Sequence, residues 1–466
     1  MSAGGEQLER VGPISVWRSK LRQRFVEGGV AHTLARGALW SMGINVVGYA
    51  LALVVQVLLT HSLGRQEYGH YAYALGWMNA ALLIGKLELD TAALRFVGTY
   101  YGAKNWSLLR GFLTRSHQLV WAASSVVAVV GAVVVWLVAG YDANRSPASL
   151  WTACALLPAT AILQFKAGCL QGFKQIRESQ GPTMLLRPLL FGAGVLLITY
   201  GSGAKLSAAG ALGINLLAAF LAIVLIGKFL RAAVPAEARQ AVPAFDTKNW
   251  VRTAAGLLIV ASAQLVLGTQ ADVLVVGSML GHTEAGQYLV ASQLAALTSF
   301  GVTAMMVMAL AMIADLHARG RTAELQRLVT VLSRASLVVS LPVVAILAIR
   351  GTTILGWFGP AFRVAYPVLV ILSIGYFIAA AGGILAGFLL TLTGHQRQAA
   401  YLVVGSAILN LALSLVFTRI FGSTGTASAT VATTFLRSAA LAVYCWRLLG
   451  VRLGPFGTAT SAANPA

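Results

Sequence analysis

LGRQEYGHY, residues 63–71, returns as LGHTEAGQY, residues 280–288. The shared pattern places Leu63, Gly64, Glu67, Gly69 and Tyr71 on Leu280, Gly281, Glu284, Gly286 and Tyr288 at a constant offset of 217. The same offset carries Lys104, Leu108 and Arg110 onto Arg321, Leu325 and Arg327. Eight matches without a gap exceed what chance readily supplies, so the chain contains two copies of one structural unit.

Composition says what kind of unit it is. Hydrophobic residues make up 58% of the chain and charged residues 10%, against roughly a quarter charged in a soluble domain. Twelve stretches are long enough for helices crossing a hydrocarbon core, which takes about 20 apolar residues each. They lie near 38–60, 68–90, 117–139, 150–172, 182–200, 207–227, 253–277, 285–313, 331–349, 364–392, 399–418 and 425–445. The expected fold is an all-α polytopic membrane protein of two six-helix lobes related by a pseudo-two-fold along the membrane normal. Its expected parts are a basic N-terminal segment 1–37, a lobe 38–231, a linker 232–252, a lobe 253–449 and a tail 450–466. The first 37 residues are polar and basic, with no cleavable signal pattern. Within them Trp17, Leu21 and Phe25 recur every fourth position among basic residues, the pattern of a short helix on the membrane surface, with a disordered segment as the alternative.

The net charge of +20 reads as topology and not as nucleic-acid binding. Arg65, Arg145, Lys205, Arg350, Arg363 and Arg419 fall in loops on one side, whereas most other Lys and Arg fall on the side of the N-terminus. That asymmetry puts both termini in the cytoplasm. The three cysteines, Cys154, Cys169 and Cys445, all lie in expected spans and make no disulfide framework or metal site. No GxxxxGK[ST] phosphate loop and no His-Glu-x-x-His motif occurs, and the outer loops are too short for a catalytic domain. No cofactor is expected, and a secondary-type transporter fits better than an enzyme. Parallel repeats of this sort keep the substrate path between the halves.

Ionisable groups inside spans cost roughly 2.5–3.5 kcal/mol each at the bilayer centre on insertion scales and need partners, water or a purpose. Arg437 sits near mid-depth, too far from either surface to snorkel easily. Lys166 and Arg187 lie closer to the cytoplasmic face, where headgroup contact competes with a cavity role. Lys86, Glu88, Asp90 and Arg95 gather where the second span ends. Lys86 and Asp90 either neutralise each other at i and i+4 or belong to a cytoplasmic gate or coupling ion pair. Asp272 shares a four-residue spacing with Gln264 and Gly268, a polar stripe turned to the protein interior, and is a proton or cation site or a structural hydrogen-bond acceptor. The repeated turns, with Gly64, Glu67 and Gly69 in one copy and Gly281, Glu284 and Gly286 in the other, are expected at the outer ends of the first two spans of each half. There the glutamates would cap the following helix, and Tyr71 and Tyr288 would sit at the membrane interface.

LGRQEYGHYAYAL, LELDTAALRFVGTYYGAKNWSLLRGFLTRS and QADVLVVGSMLGHTEAGQYLVASQLAAL together resemble the Wzx-type polysaccharide-biosynthesis flippases of the multidrug/oligosaccharidyl-lipid/polysaccharide exporter superfamily, from about residue 34 to 449. Asp90, Thr91, Arg95 and Phe96 match that family's segment closing the second span. Asp272 matches the acidic residue before the second turn, and Gly172 with Lys174, like Gly394 with Arg397, looks like its Gly-basic turns. Lys86 and Glu88 depart from the small apolar residues usual there. The resemblance implies translocation of undecaprenyl-pyrophosphate-linked oligosaccharide across the bacterial cytoplasmic membrane for O-antigen, capsule or exopolysaccharide synthesis. It also implies contact with membrane lipids and with polysaccharide polymerase and chain-length proteins. Arg437, Arg187 and Lys166, with Lys86, would then offer the cations a pyrophosphate prefers. The alternatives are a cation-coupled exporter of small soluble compounds and a lipid II flippase.

Overall fold

The computed structural model describes residues 29–139, 147–201, 203, 205–393 and 395–454. The expected surface helix near residues 16–25 and the turn residue Gly394 lie outside them. Among the described residues every regular element is helical. The first half holds α1 (Gly29–Lys86), α2 (Leu89–Gly102), α3 (Trp106–Ala139), α4 (Pro147–Gly172), α5 (Ile176–Gln180), α6 (Arg187–Leu196) and α7 (Ala208–Ala233). The short α8 (Ala236–Gln240) follows, then α9 (Thr247–Val266), α10 (Thr269–Met279), α11 (His282–Ala318), α12 (Thr322–Gly356), α13 (Tyr366–Ile378), α14 (Ile384–Leu392), α15 (Gln396–Phe421) and α16 (Ser423–Leu449). Turns of π-helix at Gly181–Leu186, Leu197–Gly201 and Ala379–Gly383 flank α6 and join α13 to α14.

Each of the twelve expected stretches coincides with helix, the second interrupted at Leu87 and Glu88 and the seventh at Leu267 and Gly268. Among the described residues eight helical segments are long and apolar enough to cross a membrane, or nine if α9 and α10, bent by 54°, form one broken span. One of the eight, Gly43–Gly102, has 60 residues. Straight, it would rise about 90 Å, three times a hydrocarbon core of about 30 Å. Gly64, at φ 71° and ψ 178°, breaks it. Its counterpart in the repeat, Gly281, also has positive φ, 115°, so the first glycine of each copy makes a turn that a side chain would strain.

Helices α1 to α7 pack mainly on one another, with α4 central and in contact with α1, α2, α3 and α7. Helices α9 to α16 do the same through α11, α12, α13, α15 and α16. The halves meet where α1 runs along α10 and α11. There a Cβ on Gly69 would lie 2.4 Å from the His282 carbonyl oxygen, and one on Gly286 would lie 3.0 Å from Gly69 Cα. Equivalent glycines thus face each other, and only their missing side chains let the two backbones approach so closely. The seam continues through Arg65 and Glu284 at 3.9 Å, His70 Nδ1 and His282 Nδ1 at 2.9 Å, and Asn79 Nδ2 donating to Gln270 Oε1 at 3.3 Å. The Tyr68 ring packs edge-on against Phe362 of the other half, with centroids 5.6 Å apart.

At the opposite end the polar segment after α7 is not a loose connection. Arg110 donates to the Ala241 carbonyl at 2.7 Å, and Ala244 N–H donates to the Ser107 carbonyl at 3.0 Å. Trp250, fully buried, donates to Tyr100 Oη at 2.9 Å and meets Phe112 edge-on at 5.3 Å. An indole buried with its N–H satisfied contributes both apolar area and a fixed orientation, so the start of α9 is held on the first half.

Two expectations for the repeated turns change. Tyr71 and Tyr288 are 4% and 1% exposed; neither ring reaches a membrane interface, because the seam and neighbouring helices cover both. The glutamates also diverge. Glu67 Oε2 accepts from Ala208 N–H at 2.7 Å and so caps α7, not the helix that follows it. Glu284 lies in the first turn of α11, where a negative charge is favourable, and its carboxylate faces Arg65.

Candidate functional site

A cavity of about 80 Å³ in the second half is lined by Thr269, Asp272, Tyr376, Thr430, Thr434 and Arg437, together with apolar neighbours. It sits against the 54° bend between α9 and α10 and against the π-helical turn that begins at Ala379. Both interruptions leave backbone polar groups outside the regular helical ladder, which within a membrane is tolerated where protein or a cavity covers them.

Asp272 belongs to the first turn of α10, so its carboxylate sits at the positive end of a half-helix. It is 3% exposed, and Oδ2 accepts from Tyr288 Oη at 2.8 Å and from Thr430 Oγ1 at 3.0 Å. The donors come from α11 and α16, so the carboxylate ties three helices together. Because the helix breaks at Gly268, whose backbone is extended (φ −98°, ψ 166°), Gln264, Gly268 and Asp272 do not form one continuous helical stripe.

Arg437 lies 14 positions after Ser423 (437 minus 423) and 12 before Leu449 (449 minus 437) on α16, about 20 Å from either end. It is half-buried and lines the same cavity as Asp272. Among the described residues it makes no ion pair with that carboxylate, so its guanidinium donors are available to the cavity. Thr430, Thr434 and Arg437 fall at i, i+4 and i+7, one face of α16. Sequence reading singled out Asp272 and Arg437 but missed the tyrosine and threonines beside them. The polar spacing along α16 was the available signal.

The other expected cations stand elsewhere. Arg187 Nε donates to Asn215 Oδ1 at 3.0 Å, and one of its terminal nitrogens to Thr160 Oγ1 at 3.4 Å, inside the first half among α4, α6 and α7. Lys166 lines a separate cavity with His117, Lys228 and Arg231. Arg187 and Lys166 therefore do not line the cavity that holds Arg437.

Lys86, Glu88 and Asp90 do come together. Lys86 Nζ lies 2.8 Å from both Glu88 Oε1 and Asp90 Oδ2, and Thr91 Oγ1 donates to Glu88 Oε2 at 2.7 Å. Lys86 is thus occupied by two carboxylates, not free for a substrate. The pair Lys86–Asp90 is not an i,i+4 contact on one helix either: Leu87 and Glu88 have φ of 53° and 54°, and the helix breaks between them and α2. Left-handed backbone at a residue with a Cβ costs roughly 1–2 kcal/mol, which the ion pairs and the Thr91 bond offset. Asp90 Oδ1 is buried with no hydrogen-bond partner among the described residues. Arg95 is exposed, with its guanidinium carbon 5.9 Å from the Phe96 ring centroid, and does not join the cluster.

The fold of this helical bundle is similar to those of solved transporters of the MOP superfamily. It matches a structure described as an inward-facing multidrug resistance MATE family transporter of that superfamily, with a TM-score of 0.73 at 12% identity over 86% of this chain and 94% of the other. A MATE crystal structure in the straight conformation gives 0.60 at 12% identity over 90% and 96%. A MOP superfamily transporter from Pyrococcus furiosus, described as having a binding pocket of reverse polarity that suggests a different function, gives 0.61 at 12% identity over 90% and 95%. By sequence the chain belongs to the polysaccharide biosynthesis protein family, whose model matches residues 34–317, more than half of its length. No curated protein matches the sequence.

Proposed function

We propose that this protein is a flippase that moves undecaprenyl-pyrophosphate-linked oligosaccharide from the inner to the outer leaflet of the bacterial cytoplasmic membrane for surface polysaccharide synthesis. It works as two six-helix lobes, 38–231 and 253–449, twelve spans in all, with both termini cytoplasmic. The observation that carries the reading is Arg437: a cation at the middle of α16, lining a cavity and without an ion-pair partner among the described residues. A diphosphate–sugar head cannot enter hydrocarbon without losing its hydration at a cost of many kcal/mol, and a guanidinium offers paired donors to phosphate. Membership of a polysaccharide biosynthesis family supports a glycan cargo. The Pyrococcus furiosus protein, whose pocket polarity suggests a different function, supports taking pocket charge over fold as the guide to cargo.

Asp272 in the same cavity gives the site both signs of charge and makes it the candidate coupling group. A cation or proton at Asp272 cancels a negative charge beside Arg437, strengthening the hold on an anionic head; its release weakens that hold. In this reading the seam at Gly69 and Gly286 lies on the outer side, and the Lys86–Glu88–Asp90 cluster is the gate on the cytoplasmic side. A strain lacking the gene should accumulate lipid-linked repeat units on the cytoplasmic leaflet and lose surface glycan. Normal glycan with no accumulation contradicts the proposal.

A further inference from the structure

A second cavity, of about 710 Å³, opens among α3, α4 and α7 in the first half, away from the Asp272–Arg437 site. Its lining includes Lys166, Lys228 and Arg231, with His117, Thr114 and Gln118. No carboxylate lines it. Lys166, Lys228 and Arg231 bring three positive charges to one lining, an arrangement of like charges that is unfavourable until an anion joins it. Lys166 is half-buried, whereas Lys228 and Arg231 are exposed.

Position shows what kind of anion fits. Lys166 is 6 residues before the end of α4 (172 minus 166), about 9 Å along the axis, and Lys228 and Arg231 are in the last turns of α7. This is the depth of lipid headgroups, not of the bilayer centre. One face of α7 leads straight into the cavity: Leu217, Leu221, Val224, Lys228 and Arg231 recur at i, i+4, i+7, i+11 and i+14, which is helical spacing. Leu217, Leu221 and Val224 are 67%, 51% and 45% exposed. The surface therefore has an apolar track ending in cations, the complement of an acyl chain ending in a phosphate. Basic pockets between membrane helices on the cytoplasmic side are a known physical solution for such headgroups.

We propose that this cavity is a binding site for an anionic phospholipid, with Lys166, Lys228 and Arg231 on the phosphate, Thr114 and Gln118 as neutral donors, and the Leu217–Val224 track under one acyl chain. The bound lipid fills the gap among α3, α4 and α7 and neutralises a site that is otherwise self-repelling. The site does not depend on which cargo the protein carries.

The test is native mass spectrometry of the purified full chain titrated with phosphatidylglycerol and, separately, phosphatidylcholine. The unaltered protein should retain phosphatidylglycerol preferentially. Combined Lys166→Gln, Lys228→Gln and Arg231→Gln should lower that preference about tenfold or more, since each basic residue near a membrane surface supplies a sizeable share of the attraction. A protein carrying Lys166→Arg and Lys228→Arg should keep it, which separates charge from misfolding. A control with Lys248→Gln, Arg252→Gln and Arg447→Gln, all exposed, should also keep it. An equal loss in that control, retention in the first variant, loss in the arginine variant, or full displacement of the lipid by inorganic phosphate would each overturn the proposal, the last by showing a site for free anion.

Discussion

Gly69 and Gly286 are equivalent positions of the internal repeat, and they meet: a Cβ on Gly286 would lie 3.0 Å from Gly69 Cα, and a Cβ on Gly69 would lie 2.4 Å from the His282 carbonyl oxygen. The motif is duplicated because the six-helix unit is duplicated, and its glycines are retained at the point where α1 crosses α11. A carbonyl oxygen cannot rotate away as a side chain would, so a methyl group at Gly69 must move backbone.

Gly69→Ala should therefore part the seam or destabilise the protein by about 1–3 kcal/mol, the usual cost of overpacking. Spin labels placed on exposed positions either side of the seam should report a wider distance distribution in the variant. An unchanged distribution with unchanged thermal stability would show that the crossing is looser than the geometry requires.

The capping of α7 by Glu67 yields a second expectation. Removing the carboxylate by Glu67→Ala leaves the Ala208 N–H without its acceptor and should cost about 1 kcal/mol, read as a lower melting temperature in detergent. Glu67→Gln, which keeps an acceptor oxygen without the charge, should fall between. No difference between Ala and the unaltered protein would mean that Ser207, whose Oγ already accepts from Gly210 N–H at 3.2 Å, caps the helix alone.

The duplication was legible from the offset of 217, and so were the helical class and the two ionisable residues that line the polar cavity. What escaped was tertiary in origin. Nothing local marks Tyr71 and Tyr288 as buried, since a tyrosine beside a glycine turn suits a membrane interface equally well. The break at Gly268 also escaped, because Gln264 and Asp272 keep helical spacing on paper across a bend of 54°. The hydropathy of α16 is diluted by the run STGTASATVATT at its start, because that end packs against α15 and lines the cavity with hydroxyls instead of facing lipid. The segment after α7 read as a linker from its prolines and mixed charges. Trp250 on Tyr100, Arg110 on Ala241 and Ala244 on Ser107 reveal that it is anchored.

That anchoring is itself testable. Trp250→Ala removes a fully buried ring and its hydrogen bond, and should destabilise the protein by about 3–5 kcal/mol. Trp250→Phe, which keeps most of the packing and leaves Tyr100 without its donor, should cost less than half as much. Equal stability of all three proteins in thermal unfolding would remove the segment from the folded core.

Asp272→Asn should abolish stimulation of transport by an ion gradient while leaving protein levels normal, because the amide can still accept from Tyr288 and Thr430 but cannot change charge. Flux measured in vesicles with and without an imposed proton or sodium gradient decides this. Gradient-dependent flux in the Asn variant would leave Asp272 as a structural link between α10, α11 and α16 and nothing more.

The most direct measurement follows a fluorescent undecaprenyl-pyrophosphate-linked oligosaccharide in proteoliposomes by its accessibility to a membrane-impermeant quencher. The account predicts protein-dependent transfer between leaflets that Arg437→Ala abolishes and Arg437→Lys partly preserves, the lysine keeping the charge but not the paired donors. Transfer by the Ala variant at the rate of the unaltered protein, with equal reconstitution, would take Arg437 out of the substrate path, and no transfer by either protein in a gradient of either ion would contradict the flippase reading itself.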